Sequence, residues 1–119
     1  MGNFRELRVW QLAKDLAVKI YKLTKDQKFK YDFGFKNQIQ RSAISVPSNI
    51  AEGDESGSNR MSVRQLYIAK GSAAELMTQL IIANEIGYIA DDIKNNLVDE
   101  CDKISSMLTN LIKSRSSKT

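Results

Sequence analysis

Histidine is absent from this chain, cysteine occurs once, as Cys101, and proline once, as Pro47. Without histidine, neither the histidine-based catalytic triads nor the histidine-ligated metal sites can be built. The carboxylate di-iron bundle is closed for the same reason, since it draws a Glu-x-x-His pair from each of two helices. A lone cysteine excludes an intramolecular disulfide. Cys101 falls on an apolar helical stripe and reads as a core residue rather than a reactive thiol. Long apolar runs are missing as well: charge interrupts every one of them well short of the roughly 20 residues that span a bilayer. The opening Met1-Gly2-Asn3-Phe4-Arg5-Glu6 holds neither an apolar signal core nor the Ser or Thr that a Met-Gly acylation signal wants at its sixth position. The expectation is an untargeted cytoplasmic protein with no membrane partner. Glu52 and Glu75 are conceivable as an acid and base pair, but no nucleophile, phosphate-cradling glycine loop or cofactor motif accompanies them. The expectation is therefore a non-enzyme without cofactor or metal.

What is present is helical periodicity. In 119 residues, 42% of them apolar, there is enough to bury one core, so a single domain over 1–119 is expected, with a flexible tail from about 114 to 119. From Phe4 to Leu23 the positions Val9, Ala13, Leu16, Ile20 and Leu23 step by four and three, the seam of a helix packed along a neighbour. Lys25 to Gly34 reads as a connection whose aromatics, Phe29, Tyr31 and Phe33, fold back over the open end. A second helix is expected from about Phe35 to Gly53, with Ile39, Ala43, Val46 and Ile50 inward and Gly53 as terminator. Pro47 lies in its middle and predicts a kink, or two pieces meeting near Ser45. After a polar loop, with Ser58 or Asn59 as cap, the third helix has 13 apolar residues and only three charges, Lys70, Glu75 and Glu85, between Leu66 and Ile86. A helix apolar around most of its girth is buried on more than one side, and in so small a protein the second side is another subunit. Ile68, Ser72 and Ile82 are the expected interface residues. Gly87 ends this helix, Asp91 or Asp92 caps the fourth, and Ile93, Leu97, Cys101, Ile104, Leu108 and Leu111 form its seam. Short connections predict an all-α, antiparallel up-down-up-down four-helix bundle.

Two polar features interrupt this pattern. On the second helix Gln38, Ser42, Ser45, Asn49 and Glu52 form a line, answered on the third by Lys70, Ser72, Glu75 and Gln79. These are read as a structural network or an interface, with a ligand site as the alternative. If Lys70 points inward it needs a carboxylate, and Glu52 is the expected partner. The second feature is charge. Residues 1–41 hold ten Lys and Arg against four acids, a net +6, within a chain whose net charge is +4. Arg5, Arg8, Lys14, Lys19, Lys22, Lys25, Lys28 and Lys30 are either a solvated outer face or contacts to the phosphates of a polyanion.

Three segments together resemble a known family: Phe4-Arg-Glu-Leu-Arg-Val-Trp-Gln-Leu-Ala13, Gln40-Arg-Ser-Ala-Ile-Ser-Val-Pro-Ser-Asn-Ile-Ala-Glu-Gly53, and Ile68-Ala-Lys-Gly-Ser-Ala-Ala-Glu-Leu76. They are similar to the four-helix-bundle proteins encoded in intervening sequences of bacterial 23S ribosomal RNA genes, also labelled ribosomal-protein-like. The accessory protein of diversity-generating retroelements is similar too. The resemblance implies a homo-oligomeric ring of five subunits in a bacterial cytoplasm and an association with RNA, and it supplies no catalytic residues. Two functions follow as expectations: binding of ribosomal or another structured RNA through the basic N-terminal third, or a scaffold ring that docks a protein partner.

Overall fold

The computed structural model describes residues 2–117, and Met1, Lys118 and Thr119 lie outside the described residues. The chain is all-α: a single 3-10 turn at Phe4–Glu6 precedes α1 (Arg8–Leu23), the one-turn α2 (Gln27–Lys30), α3 (Phe33–Glu55), α4 (Asn59–Glu85) and α5 (Asp91–Ser116). No strand occurs among the described residues. Four long helices share a body of 46 × 21 × 20 Å, so they lie along its length. α3 packs on α1 and α4, and α5 on α4 and α1, which leaves α1 and α4 at opposite corners.

The seams predicted on α1, α3 and α5 enter the core together with an inner line of α4, except that Ile93, at the start of α5, is 39% exposed and Ile112 rather than Leu111 is the buried residue at its end. Val9, Ala13, Leu16 and Ile20 of α1 meet Ile39, Ala43, Val46 and Ile50 of α3, Leu66, Leu76 and Leu80 of α4, and Leu97, Cys101, Ile104 and Leu108 of α5, all buried. The inner line of α4 alternates these leucines with Ala69, Ala73 and Ala83, and such small side chains let neighbouring helices approach closely.

Helix boundaries depart from expectation where tertiary contacts decide them. α3 runs on to Glu55, and Gly53 lies inside it rather than ending it. A Cβ there would stand 3.2 Å from both the Ser62 carbonyl oxygen and the Gln65 Cβ, so the glycine serves the close crossing of α3 and α4. One helix passes through Pro47, and the expected pair of pieces meeting near Ser45 does not form. The missing amide costs roughly 3 kcal/mol in a helix interior; burial of the ring beside α1 offsets it in part.

Ser58 caps α4 by accepting a hydrogen bond from the Met61 amide at 3.2 Å. Gly87 stops α4 as predicted: it takes φ 84°, and the amides of Gly87 and Tyr88 bond back to the carbonyls of Asn84 and Ala83. The cap of α5 is Ala90, not an aspartate; Asp91 and Asp92 fall in the first turn, where their charge complements the helix dipole. The C-terminal expectation also needs correcting, because α5 stays helical to Ser116, well into the supposed tail.

The two ends of the bundle are closed differently. At one end Phe29, carried by α2, is fully buried, stacked on Phe35 at 6.0 Å and edge-on to Tyr88 at 5.1 Å. Of the three aromatics expected to fold back only Phe29 does so; Tyr31 and Phe33 face solvent. Tyr88 donates its hydroxyl proton to Asp32 at 2.8 Å, a bond that, with partial burial, pushes its pKa up. At the other end Arg115 donates to Asp54 and to Ser62, each at 2.6 Å, tying together α3, α4 and α5.

Candidate functional site

The polar line on α3 meets its counterpart on α4, but only in part. Ser45 and Ser72 share a hydrogen bond at 2.9 Å, Asn49 donates to the Ser45 carbonyl and hydroxyl at 2.8 and 2.9 Å, and Ser42 donates to the Gln38 carbonyl. Beside them Gln38, Arg41, Ser42, Ser45 and Glu75 line a cleft of about 220 Å³. Gln79 is buried further along α4, its Oε1 without a partner among the described residues. Glu52 is different: it faces solvent, Lys70 is only half-buried, and no ion pair joins them. Helical phase explains the miss, because Glu52 follows the buried Ile50 by two residues and so falls on the far side of α3. Counting on from Ile50, the inward positions are Gly53 and Asp54, so Glu52 is turned out and Asp54 becomes the buried acid.

Asp54 is hidden in the sequence by its place in an apparent loop. It is only 8% exposed, its Oδ1 held by Arg115 and its Oδ2 without a partner among the described residues, with Gly2 laid against the carboxylate. A polar cavity of about 460 Å³ adjoins the pair, lined by Ser56, Ser58, Asn59 and Ser62 among others. A buried ion pair spanning three helices fixes register more than it adds stability.

The eight predicted cations Arg5, Arg8, Lys14, Lys19, Lys22, Lys25, Lys28 and Lys30 are all exposed. Three hold a hydrogen-bond partner: Lys14 bonds Asp15 at 2.7 Å, holding that carboxyl below its ordinary pKa; Lys19 bonds Glu100 at 2.9 Å; and Lys28 donates to the Gly87 carbonyl at 3.1 Å. Arg5 and Lys30 lie over the rings of Phe4 and Tyr31. The cations spread over both flanks of α1, with Lys22 bordering a groove on each. Lys14, Lys22 and Lys25 rim a groove of about 480 Å³ between α1 and α3 whose floor is Ala17, Val18, Tyr21, Ile44 and Pro47. Arg8 and Lys19 stand on the other flank of α1, beside α5. No spacing rule reveals this groove from sequence, because Ile44 reaches it from a different helix.

The outer side of α4 is as apolar as the sequence suggested. Ile68 is 43% and Ile82 44% exposed, with Tyr67, Ile81 and Ile86 also in solvent, and Gly71 and Ala74 lie exposed between them. Ser72, grouped with Ile68 and Ile82 as an interface residue, is instead turned inward to Ser45.

Cys101 is buried, and desolvation pushes its thiol up to about 12, so it carries no thiolate at neutral pH. No group of three or more His, Cys, Asp or Glu able to hold a metal occurs among the described residues. No helix among them is long and apolar enough to cross a membrane. The surface of the bundle carries a polar cleft, a lysine-rimmed groove and an apolar helix face.

The chain belongs to the family described as 23S rRNA-intervening sequence protein, which matches residues 5–110. Among solved structures it is similar to a protein of unknown function from the S23 ribosomal protein family of Bacteroides thetaiotaomicron VPI-5482, with a TM-score of 0.81 at 25% identity over 88% of this chain and 98% of that one. No curated protein matches it.

Proposed function

We propose that the protein is a non-catalytic, homo-oligomeric bundle of up-down-up-down order, bent at Pro47, that binds ribosomal or another structured RNA in a bacterial cytoplasm. The observation that carries the RNA reading is that all eight cations between Arg5 and Lys30 are exposed. Those with acidic partners sit in exposed pairs, which contribute only about 0–1 kcal/mol and are readily exchanged for phosphate. The family description, which names an rRNA intervening sequence, supports the same reading. Such side chains act as point charges on phosphates rather than readers of bases. Assembly through the outer face of α4 into a ring of five subunits would repeat the cations around an axis and multiply weak contacts.

The test is a salt titration of binding to structured ribosomal RNA, with light scattering to establish the assembly present. Affinity should fall steeply with salt, each phosphate contact adding about 0.7 to 0.9 to the logarithmic slope. An intact oligomer that fails to bind at low salt contradicts the RNA reading. The second reading, a scaffold that docks a protein partner, is favoured by the apolar face of α4. Partners retained from lysate after nuclease treatment would support it.

A further inference from the structure

The groove between α1 and α3 has the wrong floor for RNA alone. Val18, Tyr21 and Ile44 lie in it 45%, 41% and 48% exposed, with Lys14 and Lys25 on its rim. A floor of mostly aliphatic side chains gives a phosphate backbone nothing, whereas apolar floor plus basic rim fits an amphipathic helix that presents isoleucines flanked by acids. The same chain carries such a helix. The C-terminal half of α4 exposes Glu75, Thr78, Ile81, Ile82 and Glu85, with no basic residue between Ala74 and Ile86.

We infer that this groove receives the outer face of α4 from a second copy of the chain. The inference rests on the self-association proposed above and assigns its missing half, the surface that α4 meets. Charge spacing agrees: at 1.5 Å rise per residue, Glu75 and Glu85 stand about 15 Å apart along α4, and Lys14 and Lys25 about 16 Å apart along and just beyond α1. Position agrees as well. α1 and α4 occupy opposite corners of the bundle, so the two surfaces face away from each other and cannot satisfy one another within one chain. Pairing them between copies is head-to-tail, the geometry that closes into a ring or extends into a filament. The Lys14–Asp15 pair at 2.7 Å is no obstacle, since both side chains are about half exposed and free to exchange partners. The eight cations then divide: Lys14 and Lys25 serve assembly, while Arg8 and Lys19, on the α5 flank, stay open to solvent.

Charge reversal tests this in the full-length chain, by sedimentation velocity with circular dichroism as the control for folding. Lys14→Glu with Lys25→Glu, and separately Glu75→Lys with Glu85→Lys, should each weaken association at least tenfold while leaving a helical protein. All four substitutions in one chain should restore the wild-type mass, because every groove then again meets a face of opposite charge. A groove variant that keeps the wild-type mass overturns the assignment while leaving self-association standing, and points to α4 pairing with α4. If that variant keeps its mass but loses ribosomal RNA binding, the groove belongs to RNA. A wild-type chain that is monomeric at every concentration removes both self-association and the occupant proposed here.

Discussion

α4 and α5 are near twins in length, 27 and 26 residues, and each turns one apolar line into the same core. Their outer sides differ in balance, for α4 exposes an apolar majority beside Glu75, Thr78 and Glu85 and α5 a polar one beside Ile93. α5 shows solvent Asn95, Asn96, Asp99, Asp102, Lys103 and Asn110, while α4 shows it Tyr67, Ile68, Gly71, Ala74, Ile81 and Ile82. Folding of one chain explains the inner faces of both helices and the outer face of α5. It does not explain isoleucines in water on α4, because such side chains gain roughly 25 cal/mol per Å² only when something covers them. This difference is what supports the proposed assembly through the outer face of α4.

The comparison is broken most severely from the inside. Leu76→Ala on α4 and Leu108→Ala on α5 each open a hole at a fully buried position and should cost about 2–5 kcal/mol in urea denaturation. Similar losses show that the inner faces are equivalent; a much smaller loss at Leu76 would mean α4 is not a core helix. Next comes the contact that joins the end of α5 to α3 and α4. Asp54→Ala strands the Arg115 guanidinium, whose side chain is 18% exposed, and should cost about 3 kcal/mol, read as a lower denaturation midpoint with an unchanged m-value. The smallest effect lies on the outer face of α4, where a Cβ added at Gly71 would meet nothing within 4 Å. Gly71→Ala should stabilise the dilute chain by about 0.5–1 kcal/mol through helix propensity. A loss of stability that grows with protein concentration would show instead that a second copy packs against this glycine.

Much of this was legible in the residues. Steps of three and four placed the core seams of α1, α3 and α5 apart from the exposed Ile93, Gly87 marked the end of α4, and thirteen apolar residues between Leu66 and Ile86 announced its uncovered face. The candidate site was less legible, because its parts come from helices distant in sequence. Ile44 and Val18 look like ordinary apolar residues until α1 and α3 are laid side by side. Asp54 could have been found: the stripe Ile39, Ala43, Val46, Ile50 continues to positions 53 and 54. Glycine followed by acid reads as a loop, however, and only the close crossing with α4 makes Gly53 a helical residue. The expected pairing of Lys70 with Glu52 followed the polar line of α3 to its end, where Glu52 has turned out to solvent. Arg115 lies in what composition marks as a tail, and its anchor is a residue 61 positions away.

Whether copies meet through α4 is read from the mass of Ile82→Asp beside that of the wild type, by light scattering at matched concentrations. Ile82 is 44% exposed in the single chain, so aspartate there leaves the fold intact and acts only on what covers the outer face of α4. Assembly through α4 requires an oligomeric wild type and a variant of smaller mass with undiminished helicity. A variant that keeps the wild-type mass would contradict it, because the apolar face of α4 would then not be where copies of this chain meet.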